Sequence, residues 1–268
     1  MNAVVLLRAV PDQEALTDPR PLVADGPSLT ALGLARSSQR ILAAVELRGL
    51  SLGPAEWEPA LREALALDLD GLVRIDGGPE ADLVETARAL AAAIPDGTSL
   101  VFAGSSATDH GSGLLPAALA QVLGWSYVGS VTAVELHDGL PAVRVRGDAG
   151  VRRLLRLTLP AVLEAASGPA PSLYPRLAKK LAARKAVIPV LQQSVDEQRL
   201  RLEGYGQARP VTRTLFRPSA TARPAERMRQ LMSGGMAKRA GQTIAAETGV
   251  ARQLADLLEA QGFIGEGK

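Results

Sequence analysis

The chain has 268 residues, of which 47% are hydrophobic, 22% charged and 3% aromatic, with no cysteine, two histidines and a formal net charge of +2. The length allows one large domain or two small ones. The composition excludes disulfides, thiolate metal sites, cysteine nucleophiles and a histidine-rich metal centre, and no apolar run approaches the ~20 residues of a membrane-spanning helix.

Residues 4–7 form a short apolar run ended by Pro11-Asp12 and predict a buried strand. The first ten residues lack the basic start and small-residue cleavage site of a signal peptide, so a cytoplasmic protein is expected. Residues 28–38 have helical spacing through Leu29, Leu32 and Ala35, and 41–47 predict a second buried strand. Residues 51–54 read as a turn and 55–67 as a helix, with Trp57, Leu61, Ala64 and Leu65 on one face. A third strand is expected at 71–75, a helix at 81–94 and a fourth strand at 100–103. A further helix at 114–123 is stopped by Gly124.

Strands alternating with helices of this length predict a doubly wound, mostly parallel α/β sheet. Residues 131–136 and 142–146 flank His137-Asp138-Gly139, a hairpin signal, and 154–159 and 161–164 supply more strand, so antiparallel pieces are added to the parallel core. A loop at 167–175 and a short basic helix at 177–185 follow. Residues 192–224 have little apolar periodicity and are expected to run extended as an arm that wraps a partner. Helices are expected at 225–232 and 242–261, the last with an apolar stripe of Ile244, Val250, Leu254, Leu257 and Leu258. The domain reading is 1–190 as an α/β nucleotide-binding domain and 191–268 as an arm and C-terminal helix. Charge divides similarly: residues 1–150 hold 10 Lys+Arg against 19 Asp+Glu, and residues 151–268 hold 20 against 9. The second half therefore suits an acidic partner. The low aromatic content argues against nucleic acid, since base-stacking platforms are scarce.

Ligands of doubly wound sheets bind at the carboxyl ends of strands, near the switch in strand order. The most informative such segment is Gly104-Ser105-Ser106-Ala107-Thr108-Asp109-His110-Gly111-Ser112-Gly113. Small residues let backbone N–H groups approach a phosphate, and a helix N-terminus follows. Ser105, Ser106, Thr108 and Ser112 add hydroxyls, and Asp109 can accept from a ribose or adenine donor. A hydrolase built on Ser112, His110 and Asp109 is disfavoured, because triad members come from separate elements that converge. A solvated loop is the plain alternative. His137, at the hairpin tip, is expected in solvent.

Several stretches in register resemble one family. Gly53-Pro54-Ala55 with Leu61-Arg62-Glu63-Ala64-Leu65-Ala66-Leu67-Asp68-Leu69-Asp70 is similar to a Gly-Pro…Leu-Arg-x-Ala-Leu-Ala-Met-Gly-Ala-Asp stretch of the β-subunit of electron transfer flavoprotein. Val10-Pro11-Asp12, Thr86-Ala87-Arg88-Ala89-Leu90-Ala91, Ala103–Asp109, Leu159-Pro160-Ala161-Val162 and the basic run 179–185 resemble further family motifs, covering about residues 1–190. The resemblance implies an adenine-nucleotide-hydrolase-like fold and an electron carrier rather than an enzyme. It implies a heterodimer with an α-subunit that holds most of the FAD. One AMP is usual in the β-subunit, and a second FAD stands there in bifurcating relatives. Electrons would arrive from a dehydrogenase and leave towards a quinone-linked oxidoreductase.

By the same resemblance the nucleotide site maps to Leu6, Asp25, Gly26 and Ser28, Leu52, and the loop from Gly104 to Leu115. There the family's Asn-Pro is Asp25-Gly26, its acid is Ser28, its Arg-Gln is Ser105-Ser106, and its Gln-Val or Gln-Thr is Leu114-Leu115. Side-chain donors are lost and the backbone features stay, so little or no AMP is expected to be held. The segment 167–177 corresponds to a loop that anchors dehydrogenases through a leucine, with Leu173 or Leu177 as the anchor. Lys179, Lys180 and Lys185 follow as a basic dock. A nucleotide-binding sensor of universal-stress-protein type is the alternative.

Overall fold

The computed structural model describes residues 2–17, 19–42, 46–77, 82–109, 111–168, 173–192, 221, 223–232 and 250–260. The chain divides into two compact units, Met1–Glu203 and Gly204–Lys268. In the first, β1 (Asn2–Leu6) is followed by two short strands, β2 (Ala9–Pro11) and β3 (Leu22–Ala24), and by α1 (Gly26–Ile41). Then come β4 (Glu46–Leu52), α2 (Glu58–Leu65), β5 (Gly71–Asp76), α3 (Leu83–Ala93), β6 (Thr98–Ala103) and α4 (Leu115–Leu123). β7 (Ser126–His137), β8 (Leu140–Arg146), β9 (Arg152–Arg156), β10 (Ala161–Ala165), α5 (Leu177–Lys185) and β11 (Val190–Gln192) complete it.

Among the described residues the main sheet has nine strands in the order β11-β5-β4-β1-β6-β10-β7-β8-β9. All neighbours from β11 to β7 run parallel, and β7-β8-β9 are antiparallel. The chain builds outward from β1 through β4 to β5, then returns to lay β6 on the other side of β1. The strand order therefore switches between β1 and β6.

The central strands carry continuous apolar runs, Ala3–Leu7, Leu100–Ala103 and Ala161–Leu163, because both sheet faces are covered there. Alternate side chains divide between two cores. Ala3, Val5 and Leu7, with Leu100, Phe102, Ala161 and Leu163, pack against α1 and α2. Val4, Leu6, Val101, Ala103 and Val162 meet Leu90 of α3 and Leu119 and Ala120 of α4. The expected doubly wound architecture with antiparallel additions is the one observed. The hairpin also stands as read: Asp138 and Gly139 join β7 to β8 with φ of 50° and 74°, the left-handed pair that suits a two-residue turn.

The second strand differs from expectation. Ile41 closes α1, and β4 begins five residues later than read. Residues 51 and 52, expected in a turn, lie inside it. The strand runs on through a glycine, Gly49. It sits within β4 because Leu7, Leu69 and Leu72 close over it, with a Cβ there meeting Leu7 at 2.9 Å. The helix expected over 55–67 is a 3-10 turn, Ala55–Trp57, followed by the shorter α2. The β2–β3 ribbon was not anticipated. α5 forms where the basic helix was expected.

In the second unit, α6 (Pro224–Met232) and α7 (Val250–Ala260) are described. The extended arm expected over 192–224 and the start of the last helix, including Ile244, lie almost wholly outside the described residues. Among the described residues, no helix is long and apolar enough to cross a membrane.

Candidate functional site

Three elements meet at the switch in strand order, and polar side chains lace them together. The chain leaving β1 is clamped to the start of α1: the Arg8 N–H donates to Ser28 Oγ at 3.2 Å, and Arg8 O accepts from the Asp25 N–H at 2.9 Å. Asp25 is the N-cap of α1, yet its carboxylate does not cap the helix. It accepts instead from the Thr108 hydroxyl and, at 3.4 Å, from the Thr108 N–H. Asp25 is 1% exposed. Burial pushes its carboxyl above the ordinary carboxylate range, and Asp109 adds to the rise. The two bonds from Thr108 and the Arg8 charge oppose it.

The second tie spans the switch itself. Arg8 Nε donates to both Asp109 carboxylate oxygens, at 3.0 and 2.9 Å, and Nη2 donates to Oδ2. The guanidinium lies 5.2 Å from the centroid of the Trp57 ring, within cation–π range. Trp57 is 6% exposed and lies against Gly53, where a Cβ would stand only 2.6 Å from the ring atom Cδ2 and nearer still to others. An arginine is thus gripped by an aromatic face on one side and a carboxylate on the other, both charge-favoured contacts.

The loop after β6 rests directly on α1. Gly104 packs so close that a Cβ would stand 2.7 Å from the Pro27 carbonyl carbon. Ser105 Oγ accepts from Ser167 Oγ at 2.9 Å, and Arg146 Nη1 donates to Ser167 O at 2.7 Å. The Gly/Ser loop is therefore joined to the segment leaving β10. The Gly111 N–H donates to Ala107 O at 2.7 Å.

The structure gathers many of the expected site residues at this point. Leu6 is buried at the end of β1, and Asp25, Gly26 and Ser28 open α1. Gly104, Ser105, Ser106, Thr108, Asp109, Gly111, Ser112 and Gly113 line the loop, and Leu52 ends β4. His110 lies outside the described residues. Among the described residues, both oxygens of Asp109 are engaged by Arg8.

Of the two anchor candidates, Leu173 packs against the core, whereas Leu177 is 72% exposed and Tyr174 85%. Lys179, Lys180 and Lys185 are exposed on α5, with Lys179 Nζ 3.9 Å from Asp68. α5 is held to α2 through Arg62, which donates to the carbonyls of Ala183 and Ala186. His137 is 64% exposed at the hairpin tip, beside Asp138 at 3.6 Å.

Sequence reasoning did not single out Arg8. Its only local signal is position: it is the charged residue directly following a buried strand whose carboxyl end faces the switch. The residues fit an adenine nucleotide in part. The Arg8 and Asp109 side chains, 25% and 30% exposed, are the charged groups within a ligand's reach, whereas Asp25 is buried against Thr108.

The fold and this placement of the loop define a doubly wound α/β protein with a ligand-type loop at its switch point. The model of the electron transfer flavoprotein domain family matches residues 20–196, and the chain belongs to that family. It is 31% identical over 209 residues to the electron transfer flavoprotein subunit beta of Mycobacterium tuberculosis, covering 71% of this chain and 78% of the relative. The subunit beta of Mycobacterium leprae is 29% identical over 219 residues, covering 80% and 76%. That of Syntrophomonas wolfei is 28% identical over 160 residues, covering 59% and 63%.

Proposed function

We propose that the chain is the β-subunit of a heterodimeric electron transfer flavoprotein. It pairs with an α-subunit, shares an FAD held mainly by that partner, and passes electrons from a dehydrogenase to a quinone-linked oxidoreductase in the cytoplasm. The observation that carries this reading is the family match over 20–196, together with subunit-beta relatives covered over three-quarters of their length. FAD supplies the redox chemistry, and this chain's own residues bind and position.

In this reading the loop at the switch point takes an adenine nucleotide, with Arg8 and Asp109 as the charged groups within its reach. Leu177, with Tyr174 beside it, is the dehydrogenase anchor, because Leu173 is spent on the core. Lys179, Lys180 and Lys185 form the dock that meets an acidic surface. Residues 191–268 wrap the α-subunit. The test is co-expression with an α-subunit: a yellow heterodimer, reducible by a dehydrogenase, is expected. A colourless homodimer that binds ATP would overturn the reading in favour of a universal-stress-type sensor.

A further inference from the structure

We propose that the free edge of β9 is where an extended, acidic segment of the α-subunit docks, adding to the sheet as a further strand held by arginines. This rests on the heterodimer reading above and names the surface and the charge by which this chain takes its partner.

The backbone of β9 is prepared for a further strand. β9 stands last in the order of the main sheet, and among the described residues no strand lies beyond it. Towards β8, the Leu157 N–H donates to Pro141 O and Val151 O accepts from the Gly147 N–H. Backbone groups alternate in direction along a strand, and the register is unbroken from Arg146 opposite Arg152 to Ala142 opposite Arg156. The N–H and C=O groups of Arg152, Leu154 and Arg156 therefore point away from β8, in the spacing that accepts another strand.

The side chains set the chemistry of the occupant. All five residues of β9 are exposed. Among the described residues no acid pairs with Arg152, Arg153 or Arg156, whereas the neighbouring Arg144 holds Glu135 at 3.0 Å. Arg152 also stands directly opposite Arg146, and like charges so placed repel. Val151, Leu154 and Leu155 lie among these cations, 50%, 43% and 40% exposed. Leu154 and Arg156 border a hollow of about 120 Å³ with His137, Leu140, Pro141 and Ala142. Arginine around an apolar strip is the composition of a protein interface. An edge built only to repel other strands has no use for the apolar strip.

The same placement excludes two other occupants. A second copy of this chain would set arginine against arginine along the shared edge. A dehydrogenase held at α5 engages the opposite end of the sheet, because α5 leads into β11. β11 and β9 are the two ends of the nine-stranded order, eight strand spacings or roughly 40 Å apart. A permanent partner at β9 and a transient one at α5 thus do not compete.

The test uses the full chain co-expressed with its α-subunit. Hydrogen exchange resolved to single amides is followed on the wild-type heterodimer. The amides of Arg152, Leu154 and Arg156 should exchange within about tenfold of those of Arg153 and Leu155, which face β8. In parallel, Arg152→Glu, Arg153→Glu and Arg156→Glu are combined in one variant, and the three arginines are changed to Gln in another. Affinity for the α-subunit should fall at least about tenfold with Glu and less with Gln, and thermal melts check that both variants fold.

Outward amides that exchange as fast as those of an open loop overturn the proposal, and so does a Glu variant that assembles as tightly as wild type. Where the Glu variant does not fold, exchange on the wild-type heterodimer decides alone. Either failure in a heterodimer that forms and carries electrons defeats the docking edge and leaves the function standing. A wild-type chain that forms no heterodimer overturns both.

Discussion

Replacing Arg74 with methionine tests how the carboxyl end of β5 is held. Arg74 is 4% exposed; Nη1 donates to Gly53 O at 2.8 Å and reaches Asp76 Oδ1 at 2.5 Å, and Nε lies 3.4 Å from Glu58 Oε1. Methionine keeps the apolar stem and leaves the backbone bond from the Arg74 N–H to Pro189 O in place. The carboxylates left behind are not sealed in, since the Glu58 and Asp76 side chains are 26% and 44% exposed and water can reach them. The loss is therefore mainly that of the charged donor to Gly53 O, about 1.5–3 kcal/mol, with a smaller, titratable part from the exposed Asp76 pair, rather than the larger cost of an orphaned buried ion. For a unit of this size that is ~3–12 °C in Tm. The pH dependence separates the ion pair from the packing. The hydrogen bond from Arg74 holds the Asp76 carboxyl below its ordinary value of 3.8. A depressed folded-state pKa gives stability that is present above 3.8 and lost as pH falls through the depressed value. Urea denaturation of both proteins near neutral pH and below pH 3.8 should show the gap narrow in acid. Equal stability at neutral pH, or a gap that acid leaves unchanged, refutes the reasoning.

Three further outcomes are expected. Asp25→Asn should reveal a slope of opposite sign: the raised folded-state pKa of Asp25 gives stability that is complete below 3.8 and lost as pH rises through the raised value. Wild type should thus lose ground to the variant as pH climbs above 3.8 in paired thermal melts, and a constant difference would count against it. Gly104→Ala should cost about 1–3 kcal/mol, because its Cβ meets the Pro27 backbone at 2.7 Å; an unchanged Tm would show that the loop can retreat. Reversing Lys179, Lys180 and Lys185 to glutamate should slow flavin reduction by the donor dehydrogenase about tenfold at 0.1 M salt and hardly at all at 1 M, where the Debye length falls to ~3 Å. Stopped-flow rates that match wild type at low salt would leave those lysines without a docking role.

The sheet was legible because both its faces are buried. The apolar runs Ala3–Leu7, Leu100–Ala103 and Ala161–Leu163 are buried on both faces, and helices with an apolar stripe separate them. Differences arose where tertiary packing decides the outcome, as at Gly49, whose missing Cβ is needed by three leucines above it. The β2–β3 ribbon was unreadable for another reason: its strands have three residues each, too few to show a period. At the site, the loop was visible in its run of small residues, but its electrostatics were not. Arg8 and Asp109 stand 101 residues apart and Asp25 and Thr108 stand 83 apart, and no local pattern links them. Which leucine of the segment before α5 is exposed is likewise decided by packing, since Leu173 and Leu177 look alike in the chain.

The division of charge acquires a spatial meaning from these placements. The acidic first half supplies the cleft, where two carboxylates face one arginine. The basic second half supplies α5, whose cations are exposed, and the edge strand β9, whose Arg152, Arg153 and Arg156 are exposed as well. The acidic partner of the proposed reading would thus meet cations on α5 and at the sheet edge, not at the switch. Screening by salt should weaken that encounter. A docking rate that falls over one salt series, with the heterodimer intact throughout, is the behaviour this arrangement requires.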